Sequence, residues 1–279
     1  MIGKTRQIDA APRGVLVPGF ATGAFCHERL APCAALAGLV EHYWFVGWDM
    51  AGLPARQQET LPHPNVHLVV EHEAEGVYGV HTARYSKTLA GKGFAFGVKF
   101  RPGGFRPFLG RPVAQIADQR VPLASLFGAS GMELVRELRA LADADAAALP
   151  RAMAEVARNF LLARLPPPDA DAEQAAQLVA AIAVDPALLT VEALAQQAGM
   201  TQRALQRLFQ QYVGVGPKWV IKRYRMHEAV ARLQAGAAPE RASLAKLAQD
   251  LGYFDQAHFI REFTALVGKP PGAYRRALT

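Results

Sequence analysis

The sequence predicts an α+β chain: a β-rich, sensor-like front domain with helices behind it, then an all-α C-terminal domain holding two helix-turn-helix motifs. Three observations lead there. Short aromatic and β-branched runs, punctuated by Gly and Pro, fill the chain up to about Gly110. From Pro112 the apolar residues recur at helical spacing. A pattern opening on a turn glycine is then written twice, as GMTQRALQRLF from Gly199 and GYFDQAHFIREF from Gly252.

In the front part, EHYWFVGWDM ends at the turn AGLP and reads as a strand, as do NVHLVVEH and GFAFGVKF. GVYGVHTARYSKTLAG is expected to hold a strand pair, and RPGG breaks the last run. VAQIADQRVPLASLFG and the Ala- and Leu-rich stretch 132–165 are expected as helices. LPPPDADAEQ reads as a linker, with a short helix from Ala170 leading into the last domain. The expected division is 1–165, linker 166–185, and 186–279.

In the last domain Thr190 and Thr201 are expected N-caps, and Gly199 the residue closing the helix between them. Pro217 starts a long helix that stops near Gly236. The two copies align at an offset of 53 residues up to the turn glycine and 54 beyond it, so one residue is inserted after the turn. Helix, glycine turn, helix, repeated, is the signature of a helix-turn-helix pair.

Charge is distributed unevenly. The chain of 279 residues has a net charge of +7. Residues 186–279 hold 13 Lys+Arg against 6 Asp+Glu, so the whole surplus lies in the last third. A compact basic domain attracts polyanions, because neutralised phosphates release counterions.

The second helix of the first copy has two faces. Leu205, Leu208, Phe209 and Tyr212 follow i, i+3, i+4, i+7 and are expected to be buried. Arg203, Gln206, Arg207 and Gln210 repeat that spacing on another face, beside Thr201 and Gln202. Arg and Gln are the side chains that make bidentate contacts with guanine and adenine edges in the major groove, and no acid interrupts the stripe. In the second copy the candidates are Asp255, Gln256, Ala257, His258 and Arg261, with Glu262 a negative charge beside Arg261. Ile260 replaces the Gln206 equivalent, so weaker base reading is expected there. Phosphate contacts are expected from Lys218, Lys222, Arg223, Arg225, Arg275 and Arg276.

These residues bear a family likeness. LAQQAGMTQRALQRLFQQYVGVGPKWVIKRYRMHEAVARL, LAQDLGYFDQAHFIREFTALVGKPPGAYRR and the closing G-x-P-P-x-x-Y-R resemble the C-terminal domain of the AraC/XylS family of bacterial transcription regulators. The resemblance covers about a third of the chain. It implies a seven-helix unit in which one long helix joins two reading helices that enter successive major grooves of double-stranded DNA. It also implies an input domain that binds a small-molecule effector, mediates dimerisation, or both. RNA polymerase and a second copy of the chain are candidate further partners.

The front domain resembles this family's usual arm and cupin less. Its candidate effector residues are the aromatic cluster Tyr43, Trp44 and Trp48, with Arg101 and Arg106 around a glycine turn. Ordinary core and a tight turn with solvated arginines are the competing readings of the two groups. No metal or cofactor is expected: His67 and His72 point to opposite faces of a strand, which breaks a cluster with His63. Cys26 and Cys33, at C-x6-C, match no metal or redox spacing. No catalytic set is expected either, since Cys26 and His27 are adjacent on a strand and point apart. The alternative is an enzyme or DNA-repair protein whose front domain is catalytic and whose tail only targets DNA. A non-specific architectural binder would lack the Arg/Gln stripe. With no apolar run of the ~18 residues that a membrane-spanning helix needs, and no secretory core at the N-terminus, a cytoplasmic location is expected.

Overall fold

The fold comes from a computed structural model, in which residues 7–8, 14–16, 25–143, 147–235 and 240–278 are described. A six-stranded antiparallel sheet forms the front domain from β1 (Phe25–Leu30), β2 (Val40–Met50), β4 (His67–Glu71), β5 (Glu75–Tyr78), β7 (Gly91–Phe100) and β8 (Arg120–Val121), in the order β1-β2-β7-β4-β5-β8. A second, two-stranded sheet pairs β3 (Arg56–Thr60) with β6 (Tyr85–Leu89). The expected strand pair around Tyr85 is therefore two strands in two different sheets. β5 pairs with β4, and β6 with β3.

The register explains which residues go inside. Tyr43 lies opposite Val98 and Phe45 opposite Phe96, so they share one face with Leu68 and Val70. Tyr43 stacks near Phe96 at 6.4 Å, and Phe45 near Phe94 at 6.4 Å. Two helices, α3 (Ala129–Ala140) and α4 (Leu149–Leu162), cover that face with Leu134, Leu138, Met153 and Leu161. Between strands and helices, α1 (Arg106–Leu109) and α2 (Leu123–Phe127) are single short turns of helix. The helix expected from Pro112 is instead a 3-10 turn, then β8, then α2, because Pro122 splits the run and Asp118 takes a left-handed conformation at φ 55°.

Among the described residues seven helices follow: α5 (Ala170–Val184), α6 (Val191–Gln197), α7 (Gln202–Leu208), α8 (Pro217–Gln234), α9 (Glu240–Asp250), α10 (Gln256–Val267) and α11 (Pro271–Arg276). A π-helical stretch, Phe209–Val213, extends α7. The helix expected from Ala170 is present as α5, and it packs into the last domain instead of standing between the two. Asp169 caps α5 by accepting hydrogen bonds from Asp171 and Ala172, and Leu178, Val179 and Ile182 pack into the same apolar cluster as Leu194, Leu205 and Phe209. The small and acidic residues after the prolines suit a capped helix N-terminus.

The long helix α8 belongs to two cores. Val220 and Ile221 join the cluster of α5–α7, while Met226, Val230 and Leu233 join that of α9–α11. Both cores also take residues from the front domain: Val80 in the first, Leu16 and Leu61 in the second.

Candidate nucleic-acid interface

Local chemistry builds the first motif as the sequence suggests. Thr190 accepts from the Ala193 amide at 3.1 Å and Thr201 from the Ala204 amide at 3.2 Å, which starts α6 and α7. Gly199 takes φ 61° in the turn between them. Only a left-handed residue ends α6 so abruptly, and glycine adopts it without strain. Leu205, Leu208 and Phe209 are buried and Tyr212 half-buried. The opposite face leaves Thr201, Gln202, Arg203, Gln206, Arg207 and Gln210 exposed. Arg203, Gln206, Arg207 and Gln210 line one open cleft of about 580 Å³ with Lys218 and Glu192.

The second motif repeats the punctuation with different side chains. Gly252 takes φ 73°, and Asp255 accepts from the His258 amide at 2.7 Å to cap α10. Asp255 and Thr201 therefore have structural tasks beside any contact with DNA. Ala257 and Arg261 are exposed, while Gln256 and His258 are half-buried. His258 packs against Tyr253 at 5.3 Å and lies 3.4 Å from Glu262. Glu262 does not oppose Arg261 as an uncompensated charge. It pairs with Lys222 and accepts from the Tyr253 hydroxyl at 3.1 Å. Burial alone would raise its pKa, but those hydrogen bonds and the lysine charge bring it below the usual carboxylate value. Phe254, which the sequence reading passed over, stands 97% exposed immediately before this cap. Its neighbour Tyr253, in the same stretch between turn glycine and cap, is buried in the core, so only the packing shows which of the two aromatics turns outward.

The linking helix corrects the phosphate assignment. Arg223, expected to contact DNA, is only 1% exposed. It donates to the Thr82 carbonyl of the front domain and lies over the Trp219 ring at 4.4 Å. Burial lowers its pKa to about 10, partly offset by the charge of Asp118. Arg225 donates to the Leu189 carbonyl, and Lys222 is held by Glu262. Of these four, Lys218 alone is fully on the outside. Charge runs on a helix are ambiguous in sequence because only the packing decides which side chain turns inward.

Of the expected effector residues only Trp44 and Trp48 come together, on one sheet face, apart from Tyr43. Tyr43 is 0% exposed inside the core beneath α4. Trp44 lies on the opposite sheet face, where its indole donates to His67 Nδ1 at 3.2 Å. Trp48 shares that face and donates to the Ala90 carbonyl at 3.2 Å. Arg101 donates to the Ala37 carbonyl at 2.7 Å, and Arg106 sits 5.8 Å from the Tyr212 ring, next to the first motif. The turn between them is filled by backbone: a Cβ on Gly104 would lie 2.2 Å from the Leu39 carbonyl oxygen. Among the described residues no group of His, Cys, Asp or Glu is placed to hold a metal ion, and no helix is long and apolar enough to cross a membrane.

Residues 194–277 match the family model of a helix-turn-helix domain, and residues 28–122 match a domain of unknown function, DUF6597. A Streptomyces lividans protein described as an AraC-like transcription regulator is 34% identical over 87 residues, 31% of this chain and 27% of that one. A Haemophilus influenzae protein described as an uncharacterized HTH-type transcriptional regulator is 28% identical over 89 residues, 32% of this chain and 28% of that one. The match thus spans little more than a quarter of the length of these relatives. ToxT from Vibrio cholerae O395 superposes over 92% of this chain and 98% of its own, at 12% identity and a TM-score of 0.38. The AraC-like transcriptional activator CuxR superposes over 78% of this chain and 86% of its own, at 15% identity and a TM-score of 0.27. Residues 194–277 are thus an AraC-type helix-turn-helix domain, carried behind a domain of the DUF6597 family.

Proposed function

We propose that the chain is a sequence-specific, DNA-binding transcription regulator whose front domain responds to a small-molecule effector. The observation that supports it most is the exposed Arg203, Gln206, Arg207, Gln210 stripe on α7, which faces solvent although its partners Leu205 and Phe209 are fully buried. A stripe of guanine- and adenine-reading side chains free of acids is what direct readout in the major groove requires. Arg261 and Ala257 give the second helix a smaller reading surface, and Phe254 adds an apolar contact suited to a thymine methyl. Lys218 supplies a phosphate contact beside the first helix.

The effector reading draws support from how the domains meet. The stretch between β5 and β6 touches the linking helix through Thr82, and Arg84 donates to the Val267 carbonyl at the end of α10 at 2.9 Å. A change in the front domain is therefore delivered directly to the element that spaces the two reading helices. Binding of a second copy, or of RNA polymerase, belongs to the same reading.

Selection of bound fragments from random DNA tests it. The expected result is a defined motif with two half-sites, and affinity that falls steeply with salt. Enrichment of no motif, or affinity indifferent to salt, removes the regulator reading.

A further inference from the structure

The sheet face away from the apolar core is built unlike a core. Register places Trp44 opposite Gly97 and Trp48 opposite Gly93, so both indoles lie across glycine backbone. A Cβ would come within 2.2 Å of Trp44 at Gly97 and 2.6 Å of Trp48 at Gly93. Each ring is half-buried, with one side on the sheet. The β3–β6 strand pair is tied to this face by the ion pair of Lys87 with Glu71, and Lys87 lies 5.5 Å from the Trp48 ring. Gln58 is the register partner of Lys87 and shares its face. Its Oε1 is buried without a hydrogen-bond partner, and so is His81 Nε2, whose ring lies 5.5 Å from Tyr85 and 6.4 Å from Tyr78. Buried polar atoms in native proteins are almost always satisfied, so two unsatisfied groups beside this set of rings point to a guest that completes them.

We infer that the region between the six-stranded sheet and the two-stranded β3–β6 sheet is a binding site for a small, uncharged, hydroxylated ring compound, held by Trp44, Trp48, His67, Gln58, His81 and Tyr85. The indole faces supply apolar stacking, and the inward polar atoms supply hydrogen bonds that orient it. The indole N–H can only donate, so His67 Nδ1 accepts from Trp44 and the neutral imidazole carries its proton on Nε2. Burial, then the charge of Lys99, holds His67 well below its ordinary pKa, and burial with the charge of Glu71 pushes Tyr85 up to about 12, so both are neutral hydrogen-bonding groups. Two ion pairs border the space, Glu71 with Lys87 and Glu41 with Lys99, and Arg29, beside Trp44 in register, lies within the field of the same Glu41. The indoles, Gln58, His67 and Tyr85 are themselves uncharged, so a charged guest held by them would be desolvated at a cost without a counter-charge among those contacts.

The inference rests on the regulator reading only in calling that compound an effector. It is tested on the full chain by titrating D-ribose, D-glucose, myo-inositol, adenosine and uridine, with ribose 5-phosphate and gluconate as charged counterparts, following indole emission and the melting temperature. A neutral compound is expected to change emission saturably and raise the melting temperature. Gln58→Leu and Tyr85→Phe are each expected to weaken it about tenfold, the worth of one lost hydrogen bond. Both variants are checked for an unchanged melting temperature without ligand, and Trp44→Phe serves where either fails to fold. No saturable binding by any neutral compound, equal binding of the charged counterparts, or unchanged affinity in the folded variants overturns the site. DNA selection with the ligand-free protein separates the outcomes: loss of motif enrichment alone removes the regulator reading and leaves the site, and the reverse leaves the regulator without this site.

Discussion

Replacing Arg203 or Gln206 by alanine removes a side chain that is exposed on the outer face of α7 and makes no contribution to its core. Folding stability is therefore expected to be unchanged, while DNA affinity falls by about 1–3 kcal/mol and specificity relaxes at one or two base pairs. Competition binding against single-base variants of the selected motif measures this, and an equal loss on every sequence refutes base reading by these residues. Residue-level legibility was uneven for a physical reason. The exposure of the α7 stripe could be read because the apolar residues Leu205, Leu208 and Phe209 claim the other face, whereas Arg223 looked like another surface cation and is buried against Thr82 and Trp219. Titration belongs to this scale too. Burial, then the Lys99 charge, lowers the pKa of His42 from 6.5 to about 4, so the folded chain takes up this proton only at lower pH than the unfolded chain. Unfolded chains bind more protons between those values, and stability is lost as pH falls from 6.5 towards 4, by about 3 kcal/mol for this group. Denaturant melts at pH 7 and 4.5 are expected to show the loss, and His42→Gln to reduce it. Parallel losses in variant and parent would clear His42 of the effect.

At the scale of elements, the repeated motif was legible because each copy needs the same three devices: a turn glycine, a hydroxyl or carboxylate cap, and a buried aromatic. Thr201 and Asp255 cap α7 and α10, and Phe209 and Phe263 fill equivalent places in the two cores. The copies nevertheless differ in how crowded their glycines are. At Gly199, φ is 61° and an added Cβ meets nothing within 4 Å; at Gly252, φ is 73° and the Cβ would lie 2.6 Å from Leu189. Gly199→Ala is expected to cost about 1–2 kcal/mol, the strain of a left-handed L-residue. Gly252→Ala is expected to cost more, because Leu189 must also move. Thermal melts of the two variants check the order, and equal costs would mean that Leu189 yields freely. The strands were less legible than these helices. β6, YSKTL, lay within the expected strand pair, but β3 is RQQET, a polar run with Gln58 on its inward side, so no hydrophobic alternation announces it.

For the whole molecule, the decisive question is where the DNA-binding unit begins. Proline-rich composition before Asp169 suggests a tether, yet Leu178, Val179 and Ile182 of α5 are buried with Leu194, Leu205 and Phe209. Tyr212, at the end of the first reading motif, also donates to the Asp169 carboxylate at 3.1 Å. Fully burying each such aliphatic side chain stabilises by about 1.5–3 kcal/mol, so α5 contributes several kcal/mol to the core behind α7. A fragment 168–279 is therefore expected to melt cooperatively, and a fragment 186–279 to be less stable by several kcal/mol and to lose helix content beyond the deleted residues. The longer fragment is expected to melt below the full chain, because the second core also loses Leu16 and Leu61, and Tyr274 loses the Leu16 carbonyl to which it donates at 2.8 Å. Circular dichroism melts of the two fragments and the full chain decide it. Equal stability of both fragments would return 166–185 to the status of a tether. Equal stability of the longer fragment and the full chain would mean that the front domain only leans on the reading heads, without the energetic grip that effector control through Thr82 and Arg84 demands.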